Sequence, residues 1–514
     1  MFDRNKKIST QTWISATFLL IFSSIVSKGF GFVREILIAG KFGISSDVDA
    51  YLVALSVPSL IGTTIGSAFA IALVPLYHKL LNKGSETETD GFIKTVFSFT
   101  SLLSIILMAV VYFMSETIIK FIAPSLPENT IQTAEELLRW LFLLLIGYSL
   151  FNVLSSVYNA LHHFKIPAVT DMFSNLFIIA ALIFLSSAYG IYALVTGMAV
   201  SSYFILFIFL IHLFYHRIIG FDFNFKSKEF KEFLLLVAPV MLFMFIMQAS
   251  SIIENFFASS LKEGSIASLG YAKRLYDIIP TLLIANIARA VFPTFSTLHA
   301  EQKIKSLRDL VIKLNKQFII YFLPITFIVI FFRREIISIV FMRGAFDETA
   351  MNLTADAFMY YTLGLIATTL VPVFFRLCYA FSDSISPLIA VVISTASMII
   401  LNYFLTPIMG ISGIALSNSL SVFLMLFVLG ILVRKKIGGI ELIPLIKSFG
   451  ISLCCVMAAL LPFIYFPFSN PYYITFLIPA YFILYLFLGL LVSRKEFGSV
   501  WVTLKRTISP KDKL

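Results

Sequence analysis

The stretch WISATFLLIFSSIVSKGFGFVREILIAG (13–40) is an apolar run that nevertheless carries Lys28, Arg34 and Glu35 in its second half. A helix crosses the hydrocarbon of a bilayer in about 20 residues. Runs of this length recur along the whole chain, which rules out a single signal peptide or anchor. Backbone polar groups cannot stay unpaired in lipid, and these runs do not alternate as barrel strands do. The sequence therefore predicts an all-α integral membrane protein.

The overall composition supports this fold class. Hydrophobic residues make up 59% of the chain, charged residues only 13%, and the mean hydropathy is +0.94, whereas about a quarter of a soluble domain is charged. The three cysteines lie in apolar segments without metal-ligand spacing, and the chain has neither a phosphate-binding loop nor an HExxH motif. We expect no catalytic site, no metal and no cofactor.

Breaks at Gly, Pro and charged clusters divide the chain into about fourteen predicted membrane-spanning helices. These lie near residues 13–40, 48–78, 91–115, 132–161, 167–188, 191–215, 230–258, 266–298, 310–332, 351–381, 387–405, 411–433, 444–466 and 472–493.

Lys and Arg are distributed unequally between the two sets of loops. If the N-terminus is cytoplasmic, the cytoplasmic side holds 22 of them and the opposite side holds six. Cytoplasmic loops collect basic residues, so both termini are predicted to face the cytoplasm. This bias explains the net charge of +11 without an acidic soluble partner such as nucleic acid.

An internal repeat is visible in pairs of residues that match at a nearly constant spacing. Tyr158 pairs with Tyr379, Pro167 with Pro387, Gly190 with Gly410, Glu35 with Glu254 and Pro75 with Pro293, at offsets of 218 to 221. The pairs predict two six-helix lobes, at 1–220 and 221–437, followed by a helix pair and a basic cytoplasmic tail at 438–514. Lobes related in this way place a substrate between them and expose it alternately.

The charges inside the predicted helices need a reason, because a charge at mid-bilayer costs roughly 2.5–3.5 kcal/mol. Lys28 lies about 22 Å along its helix from Trp13, and Lys273 and Arg274 lie about 11–12 Å in from the outer face, so the two lobes carry cations at similar depth. We therefore expect a water-filled cavity between the lobes. Gly29 and Gly31 would let the first helix bend there.

Two interpretations of these charges stay open. Asp277 follows Lys273 and Arg274 by one helical turn, and Glu35 could pair within its own helix, which favours structural ion pairs. However, four cations face only two carboxylates, which leaves a net charge of +2. Such a surplus favours binding of a dianion such as a pyrophosphate, which Arg can grip through two N–H groups.

Several stretches resemble the MviN/MurJ family of the multidrug/oligosaccharidyl-lipid/polysaccharide exporter superfamily over nearly the whole chain. They are SKGFGFVREILIAGKFG (27–43), YAKRLYDIIP (271–280), MRGAFDETA (342–350), in which Asp347 or Thr349 is a candidate helix cap, and YAFSDSISP (379–387). The resemblance implies fourteen helices, with the last pair forming a groove for a lipid tail.

The resemblance also implies a function and a set of site residues. Members of the family flip lipid II, an undecaprenyl-pyrophosphate-linked peptidoglycan precursor, across the bacterial cytoplasmic membrane. The matching positions suggest substrate-binding roles for Ser27, Lys28, Arg34, Glu35, Asp49 and Arg274, beside the Lys273 and Asp277 noted above.

Two departures from the family pattern bear on the cargo. The family usually has arginine at the position of Lys28, and its RRxFAEGAF stretch is replaced here by IGTTIGSAF (61–69). The expected function is a lipid II flippase, acting as a monomer, with the driving ion left open. The alternatives are a flippase for another lipid-linked oligosaccharide and a cation-coupled drug exporter, which a cation-rich cavity disfavours.

Overall fold

The computed structural model describes residues 10–82, 86–161, 165–215, 220–439, 441–465, 474–494 and 496–498. Within these ranges the chain forms α-helices and no β-strand. The helices are α1 (Thr10–Phe42), α2 (Ser46–Asn82), α3 (Glu86–Ile122), α4 (Glu128–Ala160), α5 (Lys165–Phe184), α6 (Ser186–Tyr189), α7 (Tyr192–Tyr215), α8 (Lys228–Ala258), α9 (Ser265–Ala300), α10 (Ile304–Phe341), α11 (Glu348–Leu363), α12 (Leu365–Ala380), α13 (Ile385–Met409), α14 (Ile411–Ile437), α15 (Leu442–Tyr465) and α16 (Ile474–Val492).

Every one of the fourteen predicted segments is helical. The fifth segment consists of α5 and α6, the tenth consists of α11 and α12, and each of the others is one helix. By length and apolarity, eight helices in the described ranges qualify as membrane spans, or nine if α11 and α12, which meet at 43°, form one bent span. The chain is thus a multi-pass membrane protein, and fourteen crossings remain a prediction.

Capping residues define several of the helix ends. The Asp347 carboxylate accepts a 2.8 Å hydrogen bond from the Ala350 N–H at the start of α11, which confirms the predicted cap. The Ser227 hydroxyl accepts in the same way from Phe230 at the start of α8. Such caps satisfy N–H groups that have no partner within the helix.

One compact unit comprises residues 1–267 and 343–346. Its core contains buried residues of α2, α3, α4, α7 and α8, among them Phe69, Tyr158, Phe209 and Phe233. The Phe69 and Phe233 rings meet edge to face at 5.2 Å. Small residues on α2 bring α4 close, since a side chain at Gly66 would collide with Asn152.

The other compact unit comprises residues 268–342 and 347–514. In it, α15 and α16 share a core with α10. The Tyr485 hydroxyl donates a 2.9 Å hydrogen bond to the Ile320 carbonyl, and Tyr481 donates to the Pro324 carbonyl at 3.4 Å. The predicted C-terminal helix pair is therefore packed on one long helix. The basic tail at 499–514 lies outside the described residues.

The predicted repeat is visible in the backbone. Gly190 ends α6 with φ 53° and ψ −133°, and Gly410 ends α13 with φ 58° and ψ −134°. Positive φ of this kind favours glycine, so the two aligned glycines make the same turn. Helix α4 and the α11–α12 pair also begin and end at matching positions of the repeat. The compact units are defined by contacts and the predicted lobes by repetition, so the units do not test the lobe boundaries at 220 and 437. These boundaries stay a prediction.

Candidate functional site

Arg34 lies at the centre of a polar cluster on α1. Its Nη2 and Nε atoms donate to Glu35 Oε1 at 2.7 Å and 3.1 Å, and its Nη1 donates to Asn175 Oδ1 of α5 at 3.0 Å. The Glu35 residue is buried, whereas the Arg34 side chain is 28% exposed. Structural pairing therefore accounts for part of the charge, and the partly exposed guanidinium is held in a fixed orientation.

Asn175 is a site residue that sequence reasoning missed. Its Nδ2 donates to the backbone carbonyls of Ser27, at 3.2 Å, and Asp171, at 3.0 Å. One amide thus holds α5 against α1 and orients Arg34 through its oxygen. Asp171 and Ser174 are also polar and lie close to it along α5, so the sequence does not single out Asn175.

Lys28 is half-buried and lies within electrostatic range of Asp171. The predicted residues Ser27, Lys28, Arg34 and Glu35 are consequently together along one part of α1, with α5 beside them. The Cα atoms of Lys28 and Arg34 are separated by a rise of about 9 Å along the helix, and joint binding of a dianion by the two cations stays a prediction.

The two predicted hinge glycines lie within an unbroken α1. A Cβ atom added at Gly29 would meet nothing within 4 Å, and one at Gly31 would lie in ordinary contact with Asn175, at 3.7 Å. Crowding therefore does not require glycine at either position. Their role as a hinge stays a prediction.

Asp49 has a different environment from the α1 residues. It is 2% exposed, and its two carboxylate oxygens accept 2.7 Å hydrogen bonds from the N–H groups of Gly264 and Ala267. In return, the Ser46 N–H donates to Glu263 at 2.9 Å. Asp49 thus caps the N-terminus of α9, where a negative charge is favourable. A substrate-binding role for Asp49 stays a prediction.

The end of α1 is fixed near this cap by the segment 343–346. The Ala345 N–H donates a 2.8 Å hydrogen bond to the Gly40 carbonyl. Gly43 has φ +60°, and a Cβ there would collide with the Ala345 carbonyl. The close approach of Gly43 to the Ala345 carbonyl requires glycine. This explains the second glycine of the GKFG stretch, which packs against the RGAF stretch.

The predicted residues of α9 form a second group, in the other compact unit. Lys273 and Arg274 are half-buried, and Asp277 is exposed. The Lys273 Nζ lies 6.0 Å from the centre of the Tyr361 ring, a distance at the limit of a cation–π interaction. The meeting of this group with the α1 cluster in a shared cavity stays a prediction.

The IGTTIGSAF stretch of α2 carries a neutral polar pair. The Gln248 Nε2 of α8 donates a 2.7 Å hydrogen bond to the Thr63 hydroxyl, and Thr63 in turn donates to the Ser59 carbonyl at 2.5 Å. The charged positions of the family stretch are Ile61, Gly62 and Gly66 here, so the polar contact that this stretch makes with α8 is neutral. Within the described ranges, no three His, Cys, Asp or Glu side chains group closely enough to hold a metal ion.

Comparison with protein families gives a match along most of the chain. A family model described as lipid II flippase MurJ matches residues 38–484. A probable lipid II flippase MurJ from Buchnera aphidicola subsp. Schizaphis graminum is 27% identical over 417 residues, 79% of this chain and 80% of the relative. Another from Thermotoga maritima is 26% identical over 410 residues, 79% of this chain and 83% of the relative.

Solved structures give a consistent result. A lipid II flippase MurJ in an inward closed conformation has a TM-score of 0.81 and 26% identity, covering 93% of this chain and 99% of that one. An inward-facing multidrug transporter of the MATE family has a TM-score of 0.65 with 16% identity, covering 80% and 94%. The latter likeness concerns the fold alone.

Proposed function

Because the chain belongs to the lipid II flippase MurJ family, we propose that it moves lipid II from the inner to the outer leaflet of the bacterial cytoplasmic membrane. The product of this reaction is the same molecule on the other side of the bilayer, so the protein acts as a transporter and makes no covalent change. A lipid-linked precursor of this type carries a diphosphate between its head group and its polyprenyl tail.

The main structural support for a diphosphate-binding site is the fixed orientation of the Arg34 side chain. Three of its five N–H groups donate to Glu35 and Asn175, and the side chain remains 28% exposed. A guanidinium held in place loses little side-chain entropy when an anion binds. Glu35 does not cancel this function, since the Arg34 fork has further donors for phosphate oxygens.

Mechanistically, Lys28, Arg34 and Arg274 would bind the diphosphate when the cavity opens to the cytoplasm. The polyprenyl tail would stay in the lipid along α15 and α16. Rocking of the two lobes would then expose the head group on the other side, as in other transporters built from repeats. Lysine at position 28 binds phosphate as a point charge and arginine as a fork, so Arg34 would set the geometry.

The test measures flipping in proteoliposomes, as the rate at which fluorescent lipid II becomes accessible to an impermeant quencher. We expect Arg34→Ala to slow flipping about 10- to 100-fold, equivalent to the roughly 1.5–3 kcal/mol of a hydrogen bond to a charged group. The Lys28→Ala, Arg274→Ala double variant should be at least as slow. Arg434→Ala, at an exposed position at the end of α14, is the matched control. Wild-type rates in the double variant would refute the site.

A second cargo, another lipid-linked surface oligosaccharide, is favoured by the neutral Thr63–Gln248 pair. A head group contacted there would meet a hydroxyl and an amide, next to positions 61, 62 and 66, which have lost the charges of the family stretch. Complementation of a strain depleted of its lipid II flippase separates the two cargoes. Growth supports lipid II, whereas failure with normal expression and membrane insertion supports the alternative.

The remaining features of the proposal concern the orientation of the chain, its oligomeric state and its energy source. Both termini would face the cytoplasm because Lys and Arg concentrate on that side. The flippase would act as a monomer and without a bound cofactor, driven by an ion gradient, the membrane potential or the gradient of its cargo.

A further inference from the structure

Residues 220–231, which we term the interfacial loop, comprise the segment that precedes α8 and the first turn of that helix. The two helices on either side of this loop both qualify as membrane spans. A short connection between two spans must emerge where hydrocarbon gives way to lipid head groups. The position of the interfacial loop relative to the bilayer is therefore set by its neighbours along the chain.

Two aromatic rings of the interfacial loop are exposed although they are held in place. Phe221 is 69% exposed and Phe223 is 63% exposed. Their rings stack at 6.3 Å with an interplanar angle of 7°. Phe221 also contacts Phe97 of α3 at 5.6 Å, and Phe223 contacts Phe225 edge to face at 5.9 Å. Apolar rings that the protein leaves open are better accommodated by acyl chains than by water.

Lysines provide the exposed charge of the interfacial loop. Lys226, Lys228 and Lys231 are all exposed. They follow the exposed rings by three to ten residues along the chain. Anionic lipid head groups attract lysines in this position.

The acidic residues of the interfacial loop itself are paired or partly covered, whereas Glu88 of α3, which lines the same cleft as Asp222 and Glu229, is exposed. The Asp222 Oδ1 accepts a 3.1 Å hydrogen bond from the Asn224 N–H, and Asp222 and Glu229 are only partly exposed. Glu232, just beyond the interfacial loop, lies 2.6 Å from the Lys79 ammonium. The charge offered outward by the interfacial loop is consequently positive.

We propose that the interfacial loop binds anionic phospholipid head groups, with Phe221 and Phe223 inserted at the level of the upper acyl chains and Lys226, Lys228 and Lys231 on the phosphates. We choose the membrane as the binding partner for two reasons. The flanking spans bring the rings to the membrane, and the positive charge of the interfacial loop complements anionic lipids. The proposal concerns the host lipid and is independent of the transported cargo.

The experiment places a single tryptophan in the interfacial loop of the full chain. Phe223→Trp is made in a background with Trp13, Trp140 and Trp501 replaced by Phe. The protein is reconstituted in nanodiscs of phosphatidylcholine alone or of a three-to-one mixture with phosphatidylglycerol. Lipids brominated at acyl carbons 6 and 7, or at 11 and 12, report the depth of the introduced indole by quenching. We expect at least two-fold stronger quenching by the shallow label, and a further increase when phosphatidylglycerol is present.

The lysines are tested by Lys226→Gln, Lys228→Gln and Lys231→Gln together. This triple variant should keep the shallow quenching and lose the response to phosphatidylglycerol. A second triple variant, Lys305→Gln, Lys313→Gln and Lys435→Gln, removes the same charge at other exposed positions and should keep the response.

Two results would overturn the proposal. One is an introduced indole that neither label quenches, as when water or another protein covers the rings, or that the deep label quenches more strongly. The other is an equal response of both triple variants to phosphatidylglycerol, since the lysines of the interfacial loop would then have no particular role.

Discussion

Helix α4 and the α11–α12 pair occupy matching places in the two copies of the repeat but differ in shape. Helix α4 covers 128–160 and the pair covers 348–380, so that both ends correspond. Helix α4 is unbroken, whereas its counterpart bends by 43° between α11 and α12. The repeat therefore sets the length and place of a helix, and local residues decide whether it is straight.

The cause of the bend lies at Gly364. Its N–H donates to the Ser419 hydroxyl at 3.1 Å, and the Ser419 hydroxyl donates to the Tyr360 carbonyl at 2.6 Å. A Cβ at Gly364 would lie only 2.8 Å from Ser419 Oγ. The corresponding position of α4 is Leu144, which is fully buried. A glycine and an inserted hydroxyl bend one helix, while a buried leucine stands at the same position of the unbroken one.

The next hairpin shows the opposite difference. In the first copy α5 ends at Phe184 and a short α6 follows, whereas α13 continues without a break to Met409. Both then turn at an equivalent glycine, Gly190 or Gly410, with nearly the same dihedral angles. Irregularity thus appears at different places in the two copies, while the turn that the repeat depends on is kept.

The largest effect is expected from making the bent helix resemble the straight one. Gly364→Leu would place a large side chain against the backbone of α14 and destabilise the protein by about 3 kcal/mol, the upper range for overpacking. Unfolding of the purified protein by SDS titration measures this loss. Gly430→Leu is the matched control, because a Cβ at Gly430 meets nothing within 4 Å. Equal stability of both variants would contradict the account of the bend.

The second prediction compares the starts of α2 and α9. In the repeat, Asp49 of α2 corresponds to Ser268 of α9, at an offset of 219. The Asp49 carboxylate caps the N-terminus of α9. Asp49→Ala leaves two buried N–H groups without an acceptor, so we expect a loss of about 2 kcal/mol, measured in the same titration. Asp47→Ala, at an exposed position in the same turn of α2, should change stability little. A loss as large in the Asp47 variant would contradict the capping role.

The third prediction concerns a polar cluster that the first copy carries on α1. Aligning Glu35 with Glu254, both buried, places Ile253 opposite Arg34. We expect Asn175→Ala to free the Arg34 side chain and lower flipping about ten-fold, the effect of about 1.4 kcal/mol lost from one hydrogen bond to a charged group. The loss should appear mainly in the apparent affinity for the lipid diphosphate. Ser174→Ala on the same helix is the control. An unchanged affinity in the Asn175 variant would contradict the role of Asn175 in orienting the Arg34 side chain.

The smallest effect is expected from pH. Asp383, in the turn after α12, lies 2.9 Å from the Lys436 ammonium. Burial raises the pKa of Asp383, but hydrogen bonds from Ser386 and the charge of Lys436 outweigh it and lower the pKa to about 2 from 3.8. The pair is therefore fully stabilising above about pH 4 and loses this contribution as the pH falls towards 2. We expect about 1 kcal/mol.

Stability measured from pH 5 down to pH 2 in wild type and Asp383→Asn checks this pair. The wild type should lose more stability than the variant over this interval, because the variant has no proton to gain at position 383. Parallel curves would show that Asp383 contributes nothing. The aligned positions in the first copy, 163 and 216, are histidines in the sequence and lie outside the described residues.

Much of the fold could be predicted because it follows from local physical requirements. Apolar runs that long must be helical in lipid, and all fourteen predicted segments are helices. The cap at Asp347 and the turn glycines at 190 and 410 were also visible, since capping and positive φ depend on residues close in sequence. The breaks at Leu185 and Gly364 were missed, the latter because it depends on a contact with Ser419 of another helix.

The candidate site was predictable in its charges and less so in its contacts. Charged residues in an apolar helix are conspicuous, so Lys28 and Arg34 could be identified from the sequence alone. Asn175 could not, because its importance comes from hydrogen bonds that join α5 to α1. The cap that Asp49 provides could not be predicted either. Its donors, the N–H groups of Gly264 and Ala267, are remote from α2 along the chain.

The sequence by itself determined that this protein is a helical, multi-pass membrane protein with an internal repeat, because hydropathy and period act along the chain. Only the tertiary structure decided which polar groups meet: Arg34 with Glu35 and Asn175, Asp49 with the start of α9, and Gly364 with Ser419. The physical reason is that a hydrogen bond between distant residues depends on how helices pack. No local pattern records which surfaces will come within about 3 Å of one another.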